Sequence, residues 1–332
     1  MSWLKSYNVS VRKSLADALG ERVSVRIQIH GGYQDFLGIL ESPGLIRKKD
    51  GSLAEFDQST VVAWRVVEPI TEIGKGQPLT VRIRSLERAA MNTWLPAQYF
   101  EDGLWVYRID KGKTLRANSV LVLGDPQGSC EEAVRNVIDT FEQSRLRPVI
   151  AIPHGISELT ENYLRTSSWQ KEFDVHLMIA DAHKVSRFDL PSTFRWQISQ
   201  TPSPDWLTFD NDEEVNDILL RSPAHYLAIT EKEKIIAKAR IGFADDWGVL
   251  ARIVVEERYR GRGLGKALVA QCAEVAREHG TRQLALHVAQ TNSIAIRLYE
   301  QFGFRLHHTF SYYGYIKSLT LITHDSVEGS CC

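Results

Sequence analysis

The segment from Ile253 to Lys266 constrains the fold of this chain more than any other feature of the sequence. It reads IVVEERYRGRGLGK, an apolar strand pattern that runs into a glycine-rich turn and then into a helical pattern. Gly261, Gly263 and Gly265 remove side chains where a backbone must approach a bulky anion closely. The N–H groups of the turn and of the helix N-terminus then favour a pyrophosphate. We expect phosphate binding here, with a plain tight turn as the alternative.

The surrounding elements argue against two common phosphate-binding folds. Apolar or alternating runs predict three consecutive antiparallel strands over 226–230, 235–242 and 249–255. The lysine spacing of a Walker loop is absent, and no acidic residue follows where a Rossmann fold binds ribose. A helix over Gly261–Glu278 that stops at Gly280, followed by a strand over Leu284–Val288, completes the pattern. The phosphate site therefore belongs to a mixed α and β fold of another kind.

A second motif follows about 30 residues after the glycine turn, from Asn292 to Phe304. It reads N-x-x-A-x-x-L-Y-x-x-x-G-F, and the turn itself contains R-x-x-G-x-G at Arg260, Gly263 and Gly265. Both motifs, in this order, resemble the GNAT superfamily of N-acetyltransferases. The resemblance implies an acyl-CoA-dependent enzyme with acetyl-CoA as co-substrate. It also implies a catalytic α+β domain over residues 190–325, with a mixed sheet flanked by helices.

The resemblance assigns roles to individual residues. The strand backbone at Ile253, Val254 and Val255 would bind the pantetheine arm of acetyl-CoA, and Asn292 would contact the same arm. Tyr299 would protonate the departing thiolate as a general acid, with a packed aromatic side chain as the alternative. The pyrophosphate would be held by a run of turn and helix residues: Arg260, Gly261, Arg262, Gly263, Leu264, Gly265 and Lys266.

His287 is the candidate for the base that takes a proton from the acceptor amine. It stands five residues before Asn292, on the strand where related enzymes can carry a catalytic glutamate. An unperturbed imidazole has a pKa of about 6.5, which suits a base near neutral pH. The alternative is a histidine that lines the site or merely packs.

The first 180 residues are predicted to form two further modules. Short strand patterns with turn signals at His30–Gly32, Ser42–Gly44 and Lys49–Gly51 predict a small β-barrel of Src-homology type over residues 1–70. Residues 79–182 read as mixed α and β, with a good amphipathic helix over Glu131–Arg145. Polar stretches at Thr71–Pro78 and Asp181–Asp205 are predicted to separate the modules.

The order of these modules is similar to a bacterial group identified as short N-acetylglutamate synthases. The strings Gly20–Arg26 and Arg116–Pro126 carry this narrower resemblance. It implies a tandem GNAT pair with a degenerate N-terminal half, and transfer to the α-amine of L-glutamate for arginine biosynthesis. Donors for a dicarboxylate would come from Arg116, Asn118, Ser119 and Arg252. The alternatives are a GNAT enzyme for another amine (a protein lysine, an N-terminus, a small amine) and a non-catalytic acyl-CoA sensor.

Charge and composition limit the remaining functional classes. The formal net charge of −1 argues against a nucleic-acid protein, since phosphate contacts need a basic excess. No apolar run reaches the ~18–20 residues of a membrane span, and the first residues lack the features of a secretory signal. The four cysteines form no CxxC pair, so we expect no zinc site and a reducing cytoplasm. The sequence leaves the oligomeric state open.

Overall fold

The computed structural model describes residues 14–29, 32–48, 52–66, 77–211 and 213–316. The chain divides into two compact units, Met1–Gln77 and Pro78–Cys332. In the described ranges, no helix is long and apolar enough to cross a membrane. The predicted turns at 30–31 and 49–51, most of the predicted linker Thr71–Pro78, and Cys331 and Cys332 lie outside the described residues.

The first unit is a five-stranded antiparallel sheet around a small apolar core. Its strands are β1 (Arg22–Ile29), β2 (Gly32–Ser42), β3 (Leu45–Arg47), β4 (Leu53–Glu55) and β5 (Val61–Val66), in the order β4-β3-β2-β1-β5. Val23, Val25, Leu40 and Ile46 are fully buried between them. The prediction of a barrel needs correction: among the described residues β4 and β5 do not pair, so the sheet stays open. Strands β3 and β4 have three residues each, which is too few to continue the hydrogen bonding of the sheet as far as β5.

The second unit is built on an eleven-stranded mixed sheet flanked by helices, as the sequence predicts. The sheet has the strand order β11-β12-β13-β14-β15-β10-β16-β9-β8-β7-β6. In chain order the elements are α1 (Leu79–Asn92), β6 (Gln98–Asp102), β7 (Trp105–Ile109), β8 (Ser119–Val122), α2 (Cys130–Gln143), β9 (Val149–Pro153), α3 (Glu158–Thr166), β10 (Trp169–Asp181), β11 (Arg195–Ser199), α4 (Pro204–Thr208), α5 (Asn216–Leu220), β12 (Ala224–Glu231), β13 (Lys234–Ala244), β14 (Trp247–Val255), α6 (Leu264–Glu278), β15 (Gln283–Ala289), α7 (Ser293–Gln301) and β16 (Arg305–Tyr315).

The order of elements from β6 to β10 is repeated from β12 to β16. Each stretch has three antiparallel strands, a helix, a strand parallel to the third, a second helix and a last strand. The two last strands are exchanged: β10 pairs with β15, β16 pairs with β9, and β10 and β16 pair with each other. The two halves therefore share one continuous sheet, and residues of both can meet at one site.

Local signals explain where the helices begin and end. The hydroxyl of Ser129 accepts the N–H of Glu132 at 3.1 Å and caps α2, which confirms the predicted amphipathic helix to within two residues at each end. Gly280, with φ +79°, follows the end of α6 as predicted. The polar stretch Asp181–Asp205 is not simply a linker, because it contains β11. That strand lies at the sheet edge with mostly exposed residues, so it carries no apolar pattern.

Candidate active site

The strands β14 and β15 separate at the centre of the sheet. They pair in parallel only over Trp247–Leu250 and Gln283–Leu286. Beyond that point β14 stays with β13 as far as Val255, while β15 stays with β10 as far as Ala289. A bulge in β14 at Arg252, where φ is +55°, adds to the divergence. The backbone of β14 after Leu250 thus loses its β15 neighbour and faces an opening.

A cavity of about 480 Å³ lies in this opening. Its wall is formed by Trp94, Thr114, Arg116, Asp210, Leu250, Ala251, Arg252, Ile253, Val254, Leu286, His287, Val288, Ala289, Asn292 and Tyr299. The cavity brings together predicted residues of three kinds: three of the four for the co-substrate arm, the acid and the base, and two of the four for the acceptor. Val255 is not part of its wall. Because Trp94, Thr114 and Arg116 precede β8, the first half of the repeat contributes one wall.

The glycine turn has the geometry that a pyrophosphate needs. Gly261 and Gly263 have φ of +76° and +81°, in the left-handed region that side chains rarely adopt. Gly263 is the N-cap of the 15-residue helix α6 and offers no capping side chain. A Cβ at Gly263 would lie 2.8 Å from Cζ of Phe188. The first N–H groups of α6 are therefore left for an anion, beside the exposed Arg260, Arg262 and Lys266. These residues fit the diphosphate of coenzyme A.

Two predicted residues lie at α7: Asn292 is its N-cap, and Tyr299 is within it. The Oδ1 atom of Asn292 accepts the N–H of Ala295 at 3.1 Å, so its side chain caps the helix while the residue lines the cavity. Tyr299 is 8% exposed. Burial, with a smaller contribution from Cys272, raises the pKa of Tyr299 to about 12. The phenol is therefore protonated at neutral pH and can act as a proton donor.

His287, on β15, lines the cavity with a largely buried ring. Its Nε2 lies 3.5 Å from Oε1 of Glu87, which is an ion-pair distance. Within the described residues neither ring nitrogen has a hydrogen-bond partner. Burial and the nearby Arg116 lower the pKa of His287, although Glu87 opposes them. The imidazole is thus neutral at neutral pH and can accept a proton.

Two arginines in the cavity wall, Arg116 and Arg252, give the cavity positive charge. The guanidinium of Arg116 lies 4.7 Å from the ring centre of Trp94. In the described part of the chain, no carboxylate lies within 4 Å of Arg116. Burial lowers its pKa to about 10, so it is still a cation at neutral pH. Arg252, in contrast, pairs with Asp210. The same carboxylate accepts a hydrogen bond of 2.8 Å from Nζ of the buried Lys238.

Asn118 and Ser119, predicted to bind the substrate, are not among the residues that line the cavity. The Asn118 side chain accepts the N–H groups of Asp110 and Gly112 at 2.9 and 3.0 Å, and it donates to the carbonyl of Thr114. The Ser119 hydroxyl donates to the carbonyl of Leu115 and accepts from Arg108. Both side chains are buried and engaged within the chain, so they brace the loop that carries Arg116.

The residues in or beside the cavity that were not anticipated from the sequence include Trp94, Asp210 and Glu87. Glu87 is buried on α1, among the apolar side chains of Ile83, Ala90 and Met91. The sequence did offer a signal for Glu87, because it is a carboxylate at an apolar position of an amphipathic helix. A buried charge needs a partner or a function. Trp94 and Asp210 lie in loops whose sequence carries no comparable signal.

Known proteins resemble this chain in sequence and in fold. Residues 190–304 match the model of the acetyltransferase (GNAT) family. The N-acetyltransferase YobR of Bacillus subtilis (strain 168) is 30% identical over 242 residues, which cover 67% of this chain and 94% of that protein. The spermine/spermidine N(1)-acetyltransferase of the same strain is 35% identical over 66 residues, covering 20% and 43%. A GCN5-related N-acetyltransferase from Kribbella flavida superposes with a TM-score of 0.54 at 14% identity, covering 70% of this chain and 95% of that one, which supports the fold alone.

Proposed function

Because this chain belongs to the GNAT family of N-acetyltransferases, we propose that its acceptor is an amine that also bears a carboxylate, with L-glutamate as the first candidate. The chain is an acyl-CoA-dependent N-acetyltransferase, and acetyl-CoA is its co-substrate. The product of the proposed reaction is N-acetyl-L-glutamate, which the narrower sequence resemblance links to arginine biosynthesis.

The observation that carries this proposal is the unpaired guanidinium of Arg116 in the cavity wall. A largely buried cation without a counter-ion is costly, and a carboxylate ligand would offset that cost with charge-assisted hydrogen bonds. The buried Nε1–H of Trp94 also has no acceptor within the described residues and offers a second donor beside it. Arg252 adds further positive charge to the cavity wall, although Asp210 partly neutralises it.

The groups that line the cavity have separate roles in the proposed reaction. The β14 backbone at Ile253 and Val254 and the glycine turn bind the co-substrate, which supplies the activated acetyl group when bound. Neutral His287 accepts a proton from the acceptor ammonium, since only the free amine is a nucleophile. Tyr299, protonated at neutral pH, donates its proton to the departing thiolate.

The repeat of elements supports a division of labour between the two halves. We propose that residues 79–182 form a degenerate GNAT-like half and that residues 190–325 form the catalytic one. The turn between β8 and α2 corresponds to the glycine turn of the catalytic half. This turn carries Asp125, and the first turn of α2 carries Glu131 and Glu132. Residues 123–132 contain no lysine or arginine, so their negative charge repels a diphosphate. Residues 1–70 are proposed to have a structural or regulatory role.

The test of this function is thiol release from acetyl-CoA by the purified protein, scanning L-glutamate, other amino acids, polyamines and a lysine-rich peptide. Saturable release with L-glutamate, with N-acetylglutamate identified by mass, is the expected result. Release with a different amine would replace glutamate as the acceptor. Binding of acetyl-CoA without release for any amine would favour the acyl-CoA sensor.

Replacing Arg116 by glutamine is expected to raise the KM for L-glutamate about 10- to 100-fold, because hydrogen bonds to charged groups contribute ~1.5–3 kcal/mol. The Kd of acetyl-CoA, measured by calorimetry, should stay unchanged. The matched control is Arg135→Gln, which removes an exposed arginine of α2 paired with Glu131. An unchanged KM in Arg116→Gln would contradict the proposed carboxylate site.

A further inference from the structure

A buried carboxylate of the first half lies against two histidines of the second. Glu87 on α1 is 3% exposed. Its Oε1 lies 2.9 Å from Nε2 of His308 on β16 and 3.5 Å from Nε2 of His287 on β15. Leu177 of β10 pairs with both histidines, so their side chains form one cross-strand row on the sheet face that α1 covers. The exchange of β10 and β16 is what brings the three groups together.

The hydrogen bonds fix how these groups are oriented. An ionised carboxylate can only accept, so His308 donates Nε2–H to Glu87. The Nδ1 atom of His308 lies 2.8 Å from Nδ1 of His307, so one of these two rings donates a hydrogen bond to the other. Because each group holds the next, the Glu87 carboxylate is fixed beside His287. His307 is only partly buried and ends this chain near the surface.

Burial of Glu87 is difficult to explain as a contribution to stability. Within the described residues its close partners are imidazoles and not a lysine or arginine. Burial acts to raise the pKa of Glu87, but the facing His287 and His308 outweigh it and hold the pKa well below its ordinary value. A buried carboxylate that stays ionised beside a candidate base is typical of a group that serves the reaction.

We propose that Glu87 is a positioning residue for acetyl transfer: held by His308, its carboxylate fixes His287 beside the acceptor and stabilises the imidazolium that forms there. This inference rests on the role of His287 as base in the proposed function. A metal-binding role is not supported, because no group of histidine, cysteine, aspartate and glutamate in the described ranges is arranged to hold an ion.

The acceptor amine arrives as an ammonium ion and loses two protons during the reaction. His287 takes one proton and becomes an imidazolium beside the Glu87 carboxylate. The nitrogen forms its bond to the acetyl carbon, the carbon–sulfur bond breaks, and the thiolate takes the Tyr299 proton. The second proton shed by the nitrogen restores Tyr299. His287 returns its proton to water once the products have left.

Other charged groups face this cluster from the surrounding elements. Arg116 in the loop before β8 and His308 of β16 both lower the pKa of His287, and Glu87 is the carboxylate that opposes them. Arg82 of α1 and Arg305 of β16 lower the pKa of His307. Arg108 of β7 and Tyr312 of β16 complete the surroundings of Glu87 and Arg116. Removing the charge of Glu87 should therefore lower the pKa of His287.

The test is Glu87→Gln, which keeps the side-chain volume and removes the charge. We expect kcat to fall roughly 10- to 100-fold because the base loses its counter-charge, with an unchanged Kd for acetyl-CoA. The acid limb of the kcat profile, where His287 must lose its proton, should move to lower pH. NMR titration of the His287 ring in labelled protein should show the same shift without any acceptor. Glu101→Gln, which removes a half-exposed carboxylate paired with Arg88 of α1, is the matched control.

The readouts separate this inference from the proposed acceptor. If His287 titrates at the same pH in Glu87→Gln and in the wild type, the positioning role is wrong even when glutamate is acetylated. If His287 shifts but glutamate is not acetylated, the acceptor is wrong and the positioning role stands. Should Glu87→Gln not fold, His308→Leu is expected to lower kcat in the same way, and His308→Gln, which keeps an N–H donor, to restore it. Equal rates in the two His308 variants would overturn the inference.

Discussion

Tyr299→Phe is expected to lower kcat by about 10²- to 10⁴-fold, the usual contribution of a positioned general acid. The substitution removes the hydroxyl and keeps the ring that packs beside Phe304 at a centroid distance of 5.9 Å. Folding and the Kd of acetyl-CoA should therefore be preserved. The measurement is kcat for thiol release at saturating acceptor, with thermal unfolding and calorimetric binding of acetyl-CoA on the same preparation.

The pH dependence of the wild type provides a second check on Tyr299. An acid works in its protonated form, so its contribution is lost as pH rises through its pKa, which burial raises to about 12. We expect no alkaline loss of kcat from this group in the neutral and mildly alkaline range. Tyr226→Phe is the control, because Tyr226 is a buried tyrosine whose hydroxyl donates to the carbonyl of Leu219 at 2.7 Å. It should cost stability but not kcat; equal losses of kcat in both variants would remove the acid role of Tyr299.

The second stretch of the repeat, from β12 to β16, was predictable because its signals are local. The glycines of the turn, the asparagine that caps α7 and the glycines after α6 and α7 each act within a few residues of the chain. The strands β12, β13 and β14 follow one another as hairpins, so their apolar runs appear in sequence order. Tyr299 and His287 could be proposed because they belong to, or directly precede, these local motifs.

The acceptor side was only partly predictable because it depends on contacts distant in sequence. Glu87 and His308 are 221 positions apart and meet only through the exchange of β10 and β16. No local pattern indicates that exchange. Asn118 and Ser119 were selected by residue type, yet the tight loop before β8 uses both side chains for its own backbone. Of that string, Arg116 is the residue whose side chain is left for a ligand.

Gly263→Glu is expected to raise the Kd of acetyl-CoA by at least about 100-fold, or ~2.7 kcal/mol. Three effects act together at this position. A side chain at φ +81° is strained by ~1–3 kcal/mol, and its Cβ would lie 2.8 Å from the Phe188 ring, which is partly exposed and can shift. The added carboxylate would lie at the N-cap of α6, where the diphosphate is expected. Calorimetric titration with acetyl-CoA measures the result.

The control for Gly263→Glu lies in the corresponding turn of the other half. Gly128 precedes the N-cap of α2, and a Cβ there would come no closer than 3.5 Å to Oε2 of Glu132. We expect the acidic turn of the first half to bind no diphosphate. Gly128→Glu should then leave the Kd of acetyl-CoA unchanged, and one acetyl-CoA should still bind per chain. Gly263→Ala separates strain from charge, since it keeps the strain and lacks the carboxylate. Normal affinity in Gly263→Glu would refute the turn as the diphosphate site, whereas loss of binding in Gly128→Glu would assign that role to the first half.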